Sequence, residues 1–335
     1  MISQVYTIID AMETTELKDN GLQAALLPRL ALKVRPFSLA PDPAFYFDSR
    51  THSGALRNLR SFLVGPEGFA LIYGDVGTGK TLVCRQFLET LDREAYNAGL
   101  ILNPAGDEKE FLSEVLRALG GAPGFCSSRE ELFEVLASFV RTQGQKGKES
   151  ILAVDEAQLL SDELLRLLAS LSRPDPPGSK SLRVVLFANE ELAARLVDRR
   201  ERYVRQRIVM THCLEPLAPD EIGPYIAHRL ARAGSQGLIR FDKGAVESIT
   251  RASRGYARIV NTVADQALLL LGDKSGRKVG RRMVEHVLAR EGLDAPRKGT
   301  VGGGRLRIVY LAALGVILAL LLYRSFVLLR PALGL

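Results

Sequence analysis

Short apolar runs alternate with segments of helical periodicity along the first two thirds of the chain. The apolar runs predict buried strands at Phe69–Tyr73, Leu100–Leu102, Ile151–Val154, Leu182–Phe187 and Ile208–Thr211. Apolar residues recur at helical spacing before and between them, in Thr51–Leu63, Thr81–Leu91, Glu108–Leu119 and Arg129–Arg141. Strands that alternate with helices predict an α/β fold with a parallel sheet and helices on both faces.

The pattern changes after Pro216, where only helical periodicity remains. The predicted helices are Ala218–Arg232, Lys243–Ala252, Ala257–Leu271 and Gly280–Arg290. We therefore expect an α/β domain over 36–215 and a helical domain over 216–291. A glycine-rich, basic linker follows at 292–307. Residues 1–35 show weak periodicity, and no role is assigned to this N-terminal extension.

A long apolar run predicts a transmembrane helix after the linker. Ile308–Tyr323 contains no charged residue and would be about 24 Å long as a helix. Continuing to Leu329 gives about 33 Å, enough for a hydrocarbon core of roughly 30 Å if Arg324 reaches the far interface. Because the run is apolar all round, a membrane span over 308–329 is favoured over a buried core helix.

Most of the excess positive charge lies beside this run. The net charge is +7, of which residues 293–335 carry +5, and +2 remains for the first 292 residues. Such a distribution is typical of a membrane boundary rather than of a DNA-binding face. More basic residues precede the run than follow it, which predicts a cytoplasmic location for the preceding domains. Met1–Asn20 shows no secretory signal, and three scattered cysteines predict neither a zinc site nor a disulfide framework.

The segment between the first strand and the next helix fits a phosphate-binding loop. Its residues are Gly74, Asp75, Val76, Gly77, Thr78, Gly79, Lys80 and Thr81, in the pattern G-x-x-x-x-G-K-[ST]. Glycines allow backbone N–H groups to surround phosphates, and the helix N-terminus favours negative charge. We expect Lys80 to reach the β- and γ-phosphates of ATP, and the Thr81 hydroxyl to ligate Mg²⁺.

Two acidic residues, Asp155 and Glu156, follow the apolar strand Ile151–Val154. Ligands bind at the carboxyl ends of strands in open α/β sheets. Asp155 is therefore expected to hold Mg²⁺, and Glu156 to orient the attacking water as a general base. Acids also begin helices as caps, but the phosphate-binding loop upstream favours the catalytic interpretation.

Asn189 follows the strand Leu182–Phe187 and has two possible roles. It could contact the γ-phosphate or the attacking water, or it could serve as a turn residue or cap for the next helix. Arginines are concentrated shortly afterwards, at Arg195, Arg199, Arg200, Arg202, Arg205 and Arg207. One of them could stabilise charge on a transferring phosphoryl group, within the chain or in a neighbouring subunit. Their plainer interpretation is a solvated basic segment.

These motifs together resemble the AAA+ ATPases of bacterial secretion of the ExeA/GspA type. The similarity extends from about Pro36 to Arg290 and includes Asp155-Glu156-Ala157-Gln158, Asn189-Glu190-Glu191-Leu192 and Gly255-Tyr256-Ala257-Arg258-Ile259-Val260-Asn261. It implies that Asn189 is the sensor-1 residue, where the family usually has glutamine. It also implies that Arg258 is the sensor-2 arginine of the helical lid domain. Arg207 becomes the candidate arginine finger, with Arg205 behind it.

The resemblance implies a membrane-anchored, oligomeric ATPase that drives or regulates assembly of an envelope secretion, pilus or exopolysaccharide export system. ATP and Mg²⁺ are the implied cofactors, the implied partners are inner-membrane secretion or export components, and nucleic acid is not expected. The implied location is the bacterial inner membrane, with a single span. The family's peptidoglycan-binding domain is not expected here, so shorter relatives are the nearer comparison. Two alternatives stay open: a DNA-binding regulatory ATPase of the transposition type, and a nucleotide switch that does not hydrolyse ATP.

Overall fold

The computed structural model describes residues 27–104, 106–174, 178–197, 202–272 and 276–293 of the 335-residue chain. The chain divides into two compact units, Met1–Gly292 and Leu293–Leu335, and every element described below belongs to the first. The transmembrane helix predicted over 308–329 lies outside the described residues. Within the described ranges, no helix is long and apolar enough to cross a membrane.

In the described part of the first unit, five parallel strands form the central sheet. They are β1 (Phe69–Tyr73), β2 (Tyr96–Ile101), β3 (Glu149–Val154), β4 (Arg183–Ala188) and β5 (Ile208–Cys213). Their order is β2-β3-β4-β1-β5, which places β1 between β4 and β5. The predicted parallel α/β sheet is confirmed. Strand β2 begins four residues before the predicted Leu100 because it is an edge strand, and its partly exposed first residues leave no apolar run.

Among the described residues, seven helices connect and cover these strands. They are α1 (Arg50–Val64), α2 (Lys80–Glu89), α3 (Glu108–Ala118), α4 (Arg129–Gln145), α5 (Asp162–Leu171), α6 (Glu190–Arg195) and α7 (Arg202–Arg205). Short 3₁₀ turns lie at Pro43–Phe45 and Ala157–Leu159. Several helices begin at a capping side chain; Asp107, for example, accepts a hydrogen bond from the Glu110 backbone N–H while Glu110 reaches back to Asp107.

Buried apolar side chains pack on both faces of the sheet. Successive strand residues point to opposite faces, so Leu71 belongs to the core beneath α3, α4 and α5, whereas Ala70 and Ile72 belong to the core beneath α1 and α2. The central strand β4 is buried along its whole length. Because both faces of these strands are buried, their sequences are continuous apolar runs.

The region after β5, as far as residue 293, contains four longer helices in its described residues. They are α8 (Ile222–Arg232), α9 (Lys243–Ser253), α10 (Ala257–Gly272) and α11 (Arg281–Arg290). The expectation of helices alone is wrong in one detail: β6 (Arg240–Phe241) pairs in parallel with β7 (Lys278–Val279). Each strand has only two residues, too few to interrupt a helical pattern in the sequence.

The segment from residue 27 to residue 49 crosses from this helical region to the sheet. Arg35 forms an ion pair with Asp265 of α10, with 2.6 Å between Arg35 Nη2 and Asp265 Oδ2. Buried Arg229 of α8 donates to the carbonyls of Pro36 and Ser38, at 2.6 and 3.1 Å. The described part of the N-terminal extension, residues 27–35, thus packs against the helical region.

Candidate active site

The predicted phosphate-binding loop, Gly74–Thr81, runs from the carboxyl end of β1 into the first turn of α2. Gly77 and Gly79 have φ angles of +83° and +101°, a conformation that residues with a Cβ rarely adopt. A Cβ at Gly79 would lie 2.6 Å from Nε2 of His52. The loop therefore requires glycine, and it ends at a helix N-terminus suited to bind an anion.

Lys80 is buried within this loop, with 7% of its surface exposed. Its Nζ donates to the carbonyls of Gly74 and Asp75, both at 3.0 Å. Burial lowers the pKa of the Lys80 amine, and the carboxylates of Glu156 and Asp155 act in the opposite direction. The amine is thus held at the wall of a cavity, near the carboxylates of Asp155 and Glu156, which follow β3.

Asp155, which follows β3, lies against the first turn of α2. The Thr81 hydroxyl donates to Asp155 Oδ2 at 2.6 Å. The other oxygen, Oδ1, is buried without a hydrogen-bond partner among the described residues. Burial raises the pKa of the Asp155 carboxyl, and the neighbouring Glu156 charge adds to this. An unpaired buried carboxylate oxygen beside a hydroxyl is a donor set that fits Mg²⁺, so Thr81 and Asp155 suit the metal role predicted for them.

Glu156 comes next and has a left-handed backbone conformation, with φ +50°. Gln158 Nε2 donates to Glu156 Oε2 at 2.5 Å, and Gln158 Oε1 accepts from the Asn189 backbone N–H at 3.1 Å. Gln158 therefore connects Glu156 to the end of β4. Sequence reasoning did not single out this role, because it depends on β3 and β4 being neighbours in the sheet.

Asn189 has the capping role, one of the two that the sequence left open, and it also lies at the cavity. Its Oδ1 accepts from the Glu191 backbone N–H and its Nδ2 donates to Glu191 Oε2, both at 3.0 Å, so it caps α6. It also lines the same cavity as Lys80 and Glu156. The side chain is thus at the site, where Glu191 holds its amide.

The two predicted arginines lie in different places. Arg258, in the first turn of α10, lines the cavity, and its backbone N–H donates to the Gly77 carbonyl at 3.3 Å. The Arg207 carbonyl accepts from the Phe69 N–H at 2.7 Å, at the amino end of β1 and therefore opposite the phosphate-binding loop. A five-residue strand separates these ends by about 17 Å. The structure does not bring Arg207 to the site of its own chain.

One cavity of about 770 Å³ connects these elements. On the sheet side it is lined by the phosphate-binding loop, Glu156 and Asn189, and on the helical side by Tyr225, Arg229 and the start of α10. Arg35 and Ser38–Asp42 complete its wall. The pattern of residues in Ser38–Asp42 did not predict that this segment lines the site.

His52 of α1 lies directly beneath the loop. It is 5% exposed, and its Nδ1 is hydrogen-bonded to the Ser49 hydroxyl. Burial lowers the pKa of the His52 imidazole to about 4, although a hydrogen bond with the Thr78 backbone works against this. The neutral ring therefore supports the loop at Thr78 and Gly79.

This burial predicts that His52 makes stability depend on pH. The unfolded imidazole has a pKa near 6.5 and the folded one about 4, so the unfolded state binds more protons between these values. The contribution is complete above about pH 6.5 and is lost as the pH falls towards 4. We expect wild type to lose about 2 kcal/mol more than His52→Gln between pH 7.5 and pH 5. Urea unfolding of both proteins at each pH measures this; equal losses would refute it.

Comparison with known proteins agrees with this geometry. Residues 64–196, which hold the loop, Asp155, Glu156 and Asn189, match the family described as AAA domain. Over 244 residues, 73% of this chain, the sequence is 32% identical to general secretion pathway protein A of Aeromonas hydrophila. The match spans 44% of that relative, so the chain covers less than half of its length.

Solved structures show the same fold. Cdc6p of Pyrobaculum aerophilum superposes with a TM-score of 0.59 at 18% identity, over 76% of this chain and 70% of that one. The ORC2 protein of Aeropyrum pernix, solved as ADPNP–ADP complexes, gives 0.60 at 15% identity, over 90% and 85%. At these identities the likeness concerns the fold alone.

The fold and the site together define a P-loop ATPase with an AAA domain. Within that class, the chain belongs with the GspA-like AAA ATPases, the relatives of general secretion pathway protein A.

Proposed function

We propose that this chain hydrolyses ATP in the cavity between the sheet edge and the helical region, and that hydrolysis drives or regulates assembly of a bacterial envelope secretion, pilus or export system. The observation that carries the ATPase part is the meeting of Lys80, Thr81 and Glu156 at one cavity wall, with Asp155 hydrogen-bonded to the Thr81 hydroxyl. A protein that only bound nucleotide would have no need of Glu156 beside the magnesium ligands.

Each residue has a separate task in this reaction. Lys80 and the loop N–H groups would neutralise and orient the β- and γ-phosphates, while Thr81 and Asp155 would hold Mg²⁺. The bound metal would offset the negative charge on the phosphate oxygens. Glu156 accepts a proton from the water whose oxygen bonds to the γ-phosphorus as the bond to the β-phosphate oxygen breaks. Asn189 and Arg258, on opposite walls, complete the surroundings of the γ-phosphate.

Arg207 acts in trans in this proposal. It lies at the amino end of the sheet, away from the cavity of its own chain, and only a neighbouring subunit could use it. We expect Arg207→Ala to lower ATP hydrolysis at least about tenfold with little change in ATP binding. Mixing Arg207→Ala with Glu156→Gln subunits should then restore part of the activity. In a mixed oligomer, some sites combine the intact Glu156 of one variant with the intact Arg207 of the other. Mixtures no more active than the two variants measured apart would refute the shared site.

The secretion role rests on the relative's name and on the sequence beyond the described residues. The relative is general secretion pathway protein A, and the apolar run 308–329 with its basic flank is the proposed anchor. Crosslinking in native membranes, followed by purification of the chain, tests the partners. Recovery of inner-membrane secretion, pilus or export components supports the proposal, whereas recovery of DNA-bound proteins instead supports a regulatory ATPase.

The proposed membrane anchor makes a separate prediction. A transmembrane helix keeps a protein in the bilayer through burial of its apolar surface, which alkaline carbonate does not reverse. We expect the full chain to stay in the membrane pellet after a carbonate wash. A variant carrying two aspartates, Leu314→Asp and Leu318→Asp, should be released. Release of the wild-type chain under the same conditions would contradict the anchor.

A further inference from the structure

The turn that joins α9 to α10 contacts the phosphate-binding loop directly. We name residues Ser253–Arg258 the lid turn. Its Tyr256 hydroxyl donates to Asp75 Oδ2 at 2.7 Å, and the Arg258 backbone N–H donates to the Gly77 carbonyl at 3.3 Å. The first of these bonds joins two side chains that the proposed chemistry does not use.

Asp75 is the residue through which this contact can influence the rest of the loop. Its Oδ1 accepts from the Val76 backbone N–H at 2.9 Å, which holds the carboxylate against the main chain. Its carbonyl accepts from Lys80 Nζ at 3.0 Å and from the Thr78 hydroxyl at 2.9 Å. A displacement of Asp75 would therefore also move the carbonyl that positions Lys80 Nζ at the cavity.

The other side of the contact is also held in place. Gly255 has a φ of +89°, and its carbonyl accepts from the Leu217 N–H at 2.9 Å, in the connection between the sheet and the helical region. A Cβ at Gly255 would collide with the Leu217 carbonyl. The lid turn is thus anchored to the connection and directs Tyr256 towards Asp75.

The Tyr256 hydroxyl stays protonated in this position and can therefore donate. The hydrogen bond to Asp75 raises the pKa of Tyr256 to about 12, so the hydroxyl keeps its proton throughout the range in which the protein would work. The ring is partly buried, while the bond itself lies at an exposed position. An exposed hydrogen bond of this kind contributes modestly to stability, which suits a contact that has to open and close.

We propose that the Tyr256–Asp75 hydrogen bond is a latch between the lid turn and the phosphate-binding loop, and that Tyr256 is a positioning residue that slows nucleotide release. Val76, Gly77 and Gly79 form one wall of the cavity, and Ala257 and Arg258 form the facing wall. The latch joins these walls at Asp75 and Tyr256, next in sequence to Val76 and Ala257. The effect on nucleotide release rests on the proposed ATPase function, whereas the hydrogen bond between the two walls does not.

Two measurements on the full chain with Tyr256→Phe, which removes only the hydroxyl, test the latch. The first is hydrogen exchange of the lid-turn amides without nucleotide, and the second is the dissociation rate of ATP that carries a fluorescent ribose label. We expect both rates to rise about threefold to tenfold, as loss of one modest hydrogen bond implies. Tyr96→Phe, at the opposite end of the sheet, should leave both unchanged.

A double-mutant cycle separates the latch from a general structural effect. If the bond is the cause, Asp75→Ala together with Tyr256→Phe should exchange the lid-turn amides no faster than Asp75→Ala alone. Lid-turn exchange in Tyr256→Phe equal to wild type would overturn the latch, whether or not ATP binds. Faster lid-turn exchange in Tyr256→Phe with unchanged ATP dissociation would overturn the role in nucleotide release. Failure of the wild-type chain to bind ATP would instead count against the proposed function.

Discussion

Replacing Glu156 with glutamine is expected to lower the rate of ATP hydrolysis by about 10²- to 10⁴-fold, while ATP affinity stays within about threefold of wild type. The amide has the size of the carboxylate, and its oxygen can still accept the hydrogen bond from Gln158 Nε2. It cannot accept a proton from water at neutral pH. Binding should therefore persist without chemistry, as expected for a residue whose task belongs to the transition state.

Single-turnover hydrolysis and equilibrium ATP binding measure the two effects separately. Glu190→Gln is the matched control, because Glu190 lies at the same edge of the sheet but does not line the cavity. We expect this variant to hydrolyse ATP within about threefold of wild type. Hydrolysis by Glu156→Gln at the wild-type rate would remove Glu156 from the mechanism.

Replacing Lys80 with alanine is expected to weaken ATP binding by about 100-fold or more. The amine is positioned by the Gly74 and Asp75 carbonyls, and contacts to two phosphates at about 1.5 kcal/mol each give a loss of this size.

The alanine variant also loses the buried stem of the side chain, so Lys80→Met provides the comparison. Methionine keeps most of the apolar volume and removes the charge. We expect both variants to lose ATP binding, and Lys80→Met to keep a thermal midpoint closer to wild type. Lys148→Ala, a change of a lysine whose amine is at the surface, should bind ATP normally. ATP binding by Lys80→Met within threefold of wild type would show that the loop is not the site.

The sequence was sufficient where the chemistry is local. The loop Gly74–Thr81 lies in one contiguous stretch between an apolar strand and a helix, and the structure places it where that order requires. Asp155 and Glu156 follow a buried strand, so their place at the carboxyl edge of the sheet was also predictable. Lys80, Thr81 and Asp155 meet as expected.

Long-range packing decided the rest. Gln158 reaches both Glu156 and Asn189 only because β3 and β4 are neighbours, which periodicity does not encode. Ser38–Asp42 lines the cavity because Arg229, far along the chain, holds the adjoining backbone. Asn189 caps α6 through contacts within two residues, and this was one of its two predicted roles. Its position at the cavity depends on the tertiary packing. The latch partners Tyr256 and Asp75 are 181 residues apart, so no sequence motif joins them.

Phosphate release from ATP by the purified full chain, measured with Mg²⁺ and with a chelator in its place, tests ATP hydrolysis at this site without any other assumption. Wild type and Lys80→Ala should be prepared in parallel. We predict release by wild type that saturates with ATP, requires Mg²⁺ and is absent from the variant. Release that continues without Mg²⁺ or persists in Lys80→Ala, or no release by wild type at all, would contradict ATP hydrolysis at this site.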